Sequence, residues 1–371
     1  MNACSLTNNL AWFVRTAKVE ADVAKPLDGK VALVAGATRG AGRGIACMLG
    51  AAGAAVYCTG RTGAGQTSPM ARPETIEETA ALVDEQGGEG VAVRTDHTRE
   101  EDVAALIGCI EAERGRLDIL VNDIWGGDPM IDWGAKFWEL DIAKVRALVE
   151  QAILSHLITA RHAAPLMLRR RAGLIVEVGD GHYDGYRGQL LYDLVKSTVN
   201  RLGYAMAWDL HGTGVTALAL CPGFLRSEAV LGHFGVSEAN WRDAIAKDPF
   251  FAESESPFFV GRAVAALAAD PKVNRKAGQV LFAADLAEEY GFTDVDGRRP
   301  AFHPMFERVT AELAAKDGDL DANERFLVFA RYMQIHRETT HADKARRLAA
   351  KLGLADLGPG LGPNEAGIVA G

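Results

Sequence analysis

The sequence predicts an α/β protein built on one doubly wound parallel sheet, as a single domain with extensions at both ends. Short, continuously apolar segments rich in Val, Ala and Leu recur along the chain, and segments with helical periodicity separate them. Strands of this kind indicate a parallel sheet covered by helices on both faces. Right-handed crossovers then give a doubly wound arrangement. The sequence shows no second sheet and no internal repeat.

The predicted elements alternate from the first strand to the seventh. We predict strands at 30–35, 54–59, 90–94, 117–121, 174–178, 215–220 and 279–282. We predict helices from the Gly-rich turn through Leu49 and at 73–86, 100–114, 143–170 and 190–210. Each strand is followed by a helix or a connection, which is the βαβ pattern of a parallel sheet.

Three regions are expected along the chain. Residues 1–27 form an N-terminal arm and residues 28–303 the α/β domain. Residues 304–371 form a helical extension with helices near 305–316 and 324–352, followed by a mobile Gly/Pro-rich tail. The stretch at about 224–260 is long for a connection in this fold, and we predict that it is a lid. We expect the two extensions to serve packing or subunit contact.

Composition excludes several classes of protein. The net charge is −9 without a Lys/Arg-rich block, which argues against a nucleic-acid surface. Five scattered cysteines, none spaced as C-x-x-C, indicate neither a disulfide framework nor a zinc site. No segment is apolar for long enough to serve as a signal core or a membrane span. We therefore expect a cytoplasmic protein with no nucleic-acid or membrane partner and no metal.

A Gly-rich turn follows the first predicted strand, at residues 36–44 with the sequence GATRGAGRG. Glycines at a strand-to-helix turn let the backbone approach a pyrophosphate closely. The helix N-terminus adds unpaired N–H groups and a favourable dipole. Because the turn stands in a long alternating α/β pattern, it predicts a dinucleotide-binding site.

Residues 35–42, AGATRGAG, resemble the T-G-x-x-x-G-x-G loop of the short-chain dehydrogenases/reductases, with Ala35 in place of the usual Thr. The resemblance extends over roughly 28–300. It includes Asp96, Asn122, Tyr192-x-x-x-Lys196, and Pro222-Gly223 followed by Ser227. Residues 115–118 and 285–298 are also similar to the subgroup of dehydrogenase/reductase family member 1 and its bacterial relatives.

This resemblance implies a Rossmann fold, a nicotinamide dinucleotide, and a homodimer or homotetramer. It assigns the cofactor to a set of residues at the carboxyl ends of the strands. They are Gly36, Thr38, Arg39, Gly40, Ala41, Gly42, Arg61, Asp96, His97, Asn122, Tyr192, Lys196, Pro222, Phe224 and Ser227.

The end of the second strand predicts which dinucleotide binds. An acidic residue there would bind the ribose diol of NAD, but this chain has Gly60 followed by Arg61. A second cation, Arg39, stands in the Gly-rich turn. Two guanidiniums favour a 2′-phosphate through charge-assisted hydrogen bonds. We therefore predict NADP(H).

Tyr192 and Lys196 are one helical turn apart, so both side chains leave the same helix face. A phenol has a pKa of about 10, and a nearby ammonium is expected to lower the pKa of Tyr192. Tyr192 is then a candidate general acid/base. The resemblance implies that Lys196 also binds the nicotinamide ribose.

Two residues expected from the resemblance do not match. Where the catalytic serine is expected, the chain reads VGDGHY at 178–183, which places Asp180 or Gly179 at that position, and a helix asparagine is replaced near Ala152. Three explanations remain open. Asp180, kept neutral by burial, donates to the substrate oxygen; His182 or Tyr183 supplies that hydrogen bond; or Asp180 is a structural turn residue.

The usual Asn-Asn-Ala-Gly is also altered, to NDIW at 122–125. The predicted lid is rich in aromatic residues, and Trp125 and Trp133 could line the same mouth. These aromatic residues either fit a hydrophobic substrate or pack the lid onto the core. His233 and nearby carboxylates match no metal-binding spacing.

The resulting hypothesis is an NADP(H)-dependent oxidoreductase that reduces a carbonyl or oxidises an alcohol of a small hydrophobic substrate, with Tyr192, Lys196 and Asp180 as catalytic residues. One alternative is an enzyme of the same fold with a non-redox reaction, such as a lyase, dehydratase or cyclase. Another is a non-catalytic NADP-binding protein.

Overall fold

The computed structural model describes residues 25–66, 68, 70–181, 187, 189–315, 320, 324 and 328. Most of the predicted N-terminal arm lies outside these residues. The predicted helix at 324–352 lies outside them except for two positions. The predicted helix near 305–316 is present as Phe302–Ala315.

One seven-stranded sheet forms the centre of the described chain, and all its neighbouring strands are parallel. The strands are β1 Val31–Ala35, β2 Ala55–Gly60, β3 Glu89–Arg94, β4 Ile119–Asn122, β5 Gly173–Val178, β6 Val215–Cys221 and β7 Val280–Phe282. Their order is β3-β2-β1-β4-β5-β6-β7, so the winding reverses between β1 and β4. The predicted doubly wound sheet is confirmed.

Helices cover both faces of this sheet. They are α1 Gly40–Ala51, α2 Ile76–Glu85, α3 Glu100–Arg114, α4 Ile142–Val149, α5 Ser155–Arg170, α6 Leu190–Asp209, α7 Glu228–Phe234, α8 Pro257–Ala269, α9 Ala283–Tyr290 and α10 Phe302–Ala315. Alternate residues of β1 show the two layers. Ala32 and Val34 pack with α1, α2, α8 and α9, whereas Val31 and Leu33 pack with α3 and α5. The apolar strands therefore have a buried core on each side.

The helix predicted at 143–170 is two helices, α4 and α5, joined by a π-helical turn at Glu150–Leu154. Two hydrogen bonds accompany the turn. The Gln151 side-chain amide donates to the carbonyl of Trp125 at 2.6 Å, and the Ser155 hydroxyl donates to the carbonyl of Gln151 at 2.6 Å. A π turn inserts an extra residue into the helical repeat. Here it turns Gln151 toward the carboxyl ends of the strands.

The segment at 224–260 that is predicted to be a lid, and that we call the lid, contains α7 and two 3₁₀ turns, Trp241–Ala246 and Pro249–Glu253, and it ends within α8. Five of its aromatic residues form one buried cluster that also receives α10, whereas Phe258 and Phe259 pack in the core beside α1. Members of this cluster are Phe224, Phe234, Trp241, Phe250, Phe251, Leu313, Leu320 and Val328. The described part of the C-terminal extension therefore packs on the lid.

Candidate active site

One continuous cleft opens where the strands end at their carboxyl termini. Many of the residues predicted to bind the cofactor line it: Gly36, Thr38, Arg39, Gly40, Ala41, Arg61, Asp96, His97, Lys196, Pro222 and Ser227. They come from the ends of β1, β2, β3 and β6 and from α1 and α6. A site at this position follows the general rule for doubly wound sheets, in which ligands bind where the strand order reverses.

The Gly-rich turn leaves no room for side chains at two of its glycines. Gly36 has a φ of +96°, and a Cβ on it would lie 2.2 Å from the carbonyl oxygen of Asp123. A Cβ on Gly42 would lie 2.3 Å from the carbonyl oxygen of Gly36. Both glycines are therefore required by close packing of the turn against neighbouring backbone. Gly36 and Gly40 line the cleft at the N-terminus of α1, where unpaired N–H groups can bind an anion.

A carboxylate of the lid already binds this turn. Glu228 Oε2 accepts a hydrogen bond from the backbone N–H of Gly40 at 2.8 Å, and Glu228 Oε1 lies 4.0 Å from Arg43 Nη1. The N-terminus of α1 therefore binds an anionic group in this structure, consistent with its unpaired N–H groups and dipole.

The end of the cleft where the adenosine is predicted to lie has two arginines. A side chain at Gly60 would collide with Thr38, whose Oγ1 lies 2.5 Å from the position of a Cβ. No carboxylate can therefore reach the ribose from residue 60. Arg39 and Arg61 both line the cleft, as predicted. Asp96 accepts hydrogen bonds from the N–H and hydroxyl of Thr98; although burial opposes ionisation, these bonds lower its pKa.

Two predicted cofactor residues lie beneath the cleft surface. The Asn122 amide is fully buried and donates to Glu177 Oε1 at 2.7 Å and to the carbonyl of His156. His97 lines the cleft but joins Thr59 to Thr159, with 2.8 Å on each side. Burial lowers the pKa of His97 to about 3, so the ring is neutral. Both side chains fix the floor of the cleft.

The cleft-lining residues do not include three other predicted positions, Gly42, Tyr192 and Phe224. The Phe224 ring stacks edge-on against Phe251 within the lid cluster. Of the two explanations for the lid aromatics, the structure shows packing for this cluster.

Tyr192 and Lys196 lie in one environment, since both contact the Trp125 ring, and Lys196 and Trp125 line the cleft. The Tyr192 hydroxyl lies 2.8 Å from Asp180 Oδ2. Lys196 Nζ lies 4.4 Å from the centre of the Trp125 ring and 5.6 Å from that of Tyr192. Gln189 fixes the start of α6, because its side chain accepts from the N–H of Tyr192. The spacing of Tyr192 and Lys196 therefore brings both groups to one place, as predicted.

The predicted lowering of the Tyr192 pKa is wrong for this arrangement. Burial and, next, the Asp180 carboxylate raise the pKa of Tyr192 well above its ordinary value. The Lys196 ammonium lies over the Trp125 ring, whereas Asp180 contacts the phenol directly. Proximity to a carboxylate disfavours the phenolate. Tyr192 is therefore held as a proton donor.

Asp180, which with Gly179 is one of the two candidates for the serine position, contacts the phenol of Tyr192. Its backbone carbonyl accepts from Arg187, which also binds Asp193 at 2.9 Å. The Asp180 side chain is 29% exposed, so it is less buried than the neutral-acid explanation assumed. His182 and Tyr183, the second explanation, lie outside the described residues.

Ala152, the expected asparagine position, is buried in the π turn, and its neighbour Gln151 lines the cleft.

Three ionisable groups near the cleft were missed by sequence reasoning. His156 Nδ1 lies 2.6 Å from Glu177 Oε2, and both side chains are buried; burial opposes the charged ring, but Glu177 raises the pKa of His156. Burial raises the pKa of Asp123 to about 7, opposed by Lys196. Two features of the sequence could have revealed these groups. Glu177 lies inside the apolar strand β5, and Asp123 is part of the altered NDIW motif.

Two tryptophan rings pack against Tyr192. The Trp125 ring meets Tyr192 edge-on at 5.6 Å between centres, and the Trp133 ring lies at 5.1 Å. The Trp125 indole N–H donates to Asp128 at 2.8 Å. These two tryptophans, unlike the lid aromatics, are next to the proposed reacting group.

None of the helices in the described residues has the length and apolarity needed to cross a bilayer. A doubly wound sheet with a bare Gly-rich turn at its switch point defines an α/β protein of the dinucleotide-binding class. A phenol and an ammonium next to this cleft, those of Tyr192 and Lys196, add a pair of groups that can exchange a proton beside the dinucleotide site.

Comparisons with known proteins agree with this class. Residues 30–232 match the family model described as short chain dehydrogenase. Dehydrogenase/reductase SDR family member 1 from Mus musculus is 34% identical over 278 residues, covering 74% of this chain and 85% of the relative. Its Homo sapiens counterpart is 33% identical over 281 residues, covering 74% and 86%. The chain belongs to the short-chain dehydrogenase family of oxidoreductases.

Solved structures show the same fold. A short chain dehydrogenase from Mycobacterium thermoresistibile has a TM-score of 0.62 at 22% identity and covers 74% of this chain and 92% of its own. A 7α-hydroxysteroid dehydrogenase, solved with NADH and 7-oxo glycochenodeoxycholic acid, has a TM-score of 0.56 at 23% identity and covers 74% and 96%.

Proposed function

We propose that the protein is an NADP(H)-dependent oxidoreductase that reduces a carbonyl, or oxidises an alcohol, of a small hydrophobic substrate. The observation that carries the proposal is the Tyr192 hydroxyl, held at 2.8 Å from Asp180 and with its ring near Lys196, which lines the same cleft as the Gly-rich turn. The relative solved with NADH and a 7-oxo compound supports carbonyl chemistry by similarity.

The residues present fit a nicotinamide dinucleotide. Its pyrophosphate would lie against the backbone of the Gly-rich turn at Gly36 and Gly40, and Lys196 would bind the nicotinamide ribose. The bound cofactor supplies a hydride to the carbonyl carbon. Glu228, which binds Gly40 N, would have to release that N–H to a phosphate.

Tyr192 provides the proton. In reduction, its O–H bond breaks as the developing alkoxide oxygen takes the proton, and the phenolate that remains is stabilised by the Lys196 ammonium. Asp180 binds the phenol hydroxyl and keeps it protonated until the substrate is present. Return of a proton to Tyr192 completes the cycle.

The phosphorylated cofactor is favoured by charge. Gly60 excludes the carboxylate that would bind the ribose diol, and Arg39 and Arg61 line that end of the cleft. Guanidiniums bind phosphates through charge-assisted and often bidentate hydrogen bonds. A hydrophobic substrate is favoured by Trp125 and Trp133, which flank Tyr192.

The decisive experiment follows NADPH absorbance with a panel of carbonyl compounds. We expect oxidation with apolar substrates that the Tyr192→Phe variant loses, since this variant keeps the ring and removes the proton. Tight NADPH binding without oxidation of any carbonyl would favour the non-redox or the non-catalytic alternative. Equal or tighter binding of NADH than of NADPH would reject the cofactor preference.

We also propose a homodimer or homotetramer in the cytoplasm. Support for assembly comes from large apolar side chains left exposed on α5 and α6 and in the preceding π turn, among them Leu154, Leu157, Leu190 and Leu194.

A further inference from the structure

Arg39, the predicted phosphate ligand in the Gly-rich turn, shares one carboxylate with a second arginine. Glu74 Oε2 accepts from Arg39 Nε at 3.3 Å and from Arg72 Nε at 3.1 Å. Glu74 Oε1 accepts from Arg72 Nη2 at 2.5 Å. Glu74 is 7% exposed, so this carboxylate is enclosed between its two partners.

The charges of this cluster explain why two arginines are needed. Burial favours protonated Glu74, but the hydrogen bonds and charge of Arg72 outweigh it and lower the Glu74 pKa, so the carboxylate is ionised. A pair of Arg39 and ionised Glu74 has no net charge and would attract a phosphate weakly. Arg72 adds one positive charge, and the three groups together are cationic.

The cluster lies at the adenosine end of the cleft. Arg39 Nη2 donates to Ser68 Oγ at 2.9 Å, and both residues line the cleft. Arg72 reaches toward the lid, since a Cβ on Gly232 of α7 would lie 3.7 Å from Arg72 Nη1. The segment that follows β2 therefore brings Arg72 and Glu74 to the same rim as Arg39.

We propose that Arg72 is a specificity-determining residue for the 2′-phosphate of NADP(H) and that Glu74 is a positioning residue that orients Arg39 and Arg72. Glu74 fixes both guanidiniums through their Nε atoms. The Nη1 and Nη2 atoms of Arg39, which contact Met70 and Ser68, are then directed along the cleft. This inference rests on the proposed NADP(H) preference.

The test measures dissociation constants of NADPH and NADH by titration calorimetry for the wild type and three variants. Loss of one charge-assisted hydrogen bond corresponds to about tenfold weaker binding. Arg72→Ala is expected to weaken NADPH binding about tenfold and to leave NADH binding within about twofold. Arg99→Ala is the matched control. It removes an exposed arginine that, like Arg72, pairs with a glutamate two residues later, but that does not belong to the cluster of Arg39, Arg72 and Glu74.

Glu74→Gln separates positioning from simple repulsion. If Glu74 only opposed a phosphate, removing its charge would tighten NADPH binding. If Glu74 is a positioning residue, Glu74→Gln should instead bind NADPH more weakly than the wild type and bind NADH equally well. Added salt should then lower the NADPH affinity of the variant by a smaller factor than that of the wild type. Unchanged NADH binding also shows that each variant is folded.

The outcomes are distinct. A wild type that binds neither dinucleotide, or binds NADH as well as NADPH, would overturn the proposed cofactor and this inference with it. A wild type that prefers NADPH, with the preference unchanged in Arg72→Ala, would overturn the role of Arg72 alone. Tighter NADPH binding by Glu74→Gln would overturn the role of Glu74 alone.

Discussion

At the scale of single residues, Asp180 and Tyr192 set the proton chemistry of the site. Their 2.8 Å contact places a carboxylate directly on the phenol. Burial raises the pKa of Tyr192 most, and the Asp180 carboxylate raises it further. A phenol in this setting stays protonated to higher pH. The site therefore favours proton donation over proton removal.

Substitution of Asp180 tests this assignment. Asp180→Ser is expected to retain turnover, since a hydroxyl can bind the phenol, whereas Asp180→Ala should lower kcat on the order of tenfold. In both variants the loss of kcat/KM at high pH should begin at lower pH, because the carboxylate no longer raises the pKa of Tyr192. Unchanged turnover and pH profiles in both variants would leave Asp180 as a structural turn residue.

Asp123 gives a second prediction, which concerns stability. Its folded-state pKa of about 7 is above the ordinary 3.8, so the folded protein holds this proton more tightly than the unfolded chain. The favourable contribution of the protonated acid is therefore complete at low pH and is lost as pH rises from about 4 to about 7.

Asp123→Asn, which restores the usual residue of the family motif, removes this titration. Relative to the wild type, the variant should gain about 2 kcal/mol of unfolding free energy between pH 5 and pH 8. Urea denaturation at the two pH values measures the difference. A constant difference between the proteins at both pH values would contradict the prediction.

At the scale of elements, the turn after β6 is fixed to the lid by one buried carboxyl group. Glu255 Oε2 accepts from the N–H of Gly223 at 2.9 Å, and the backbones of Leu225 and Glu255 form a bridge. Burial raises the pKa of Glu255 to about 8, so the group is mostly protonated at neutral pH. This contact determines where Pro222, which lines the cleft, is held.

Two variants of Glu255 should differ in stability. Glu255→Gln resembles the protonated acid and should match the wild type at pH 7 and exceed it above pH 8, where the wild-type group ionises. Glu255→Ala removes the acceptor for Gly223 and should lose about 1–3 kcal/mol at pH 7. Denaturant unfolding measures both. Equal losses in the two variants would show that the ionised carboxylate is required.

At the scale of the whole molecule, the sheet and the position of the cleft could be predicted because they depend on local patterns. Apolar strands at βαβ spacing predicted the seven strands, and the Gly-rich turn predicted the switch point. The rest depends on contacts between distant residues. The π turn accompanies a hydrogen bond from Gln151 to Trp125, and Arg39 meets Glu74 only when the segment after β2 folds back.

The same reasoning applies to the reaction centre. Spacing along one helix placed Tyr192 and Lys196 together, as predicted. It could not show that the ammonium lies over the Trp125 ring while Asp180 contacts the phenol. The direction of the pKa shift depends on these two distances, so the sequence alone led to the wrong sign.

The proposed assembly leads to the last prediction. The π turn and α6 are neighbours, because Ala152 packs with Leu191 and Val195 in one buried cluster. Each nonetheless carries an exposed leucine, Leu154 at 44% in the π turn and Leu194 at 49% in α6. Contiguous apolar surface of this kind marks a protein interface, and a self-complementary patch favours a two-fold dimer.

Leu194→Arg should therefore shift the protein toward a monomer in analytical ultracentrifugation, since an arginine would be buried against an apolar partner surface. Ala105→Arg adds the same charge at an exposed position of α3 away from these leucines and should leave the assembly unchanged. A wild type that sediments as a monomer, or an unchanged assembly in Leu194→Arg, would show that this surface is not the interface.

Because the exposed leucines flank the π turn that carries Gln151 to the cleft, the NADPH affinity of a monomeric variant should also show whether assembly supports the active-site geometry.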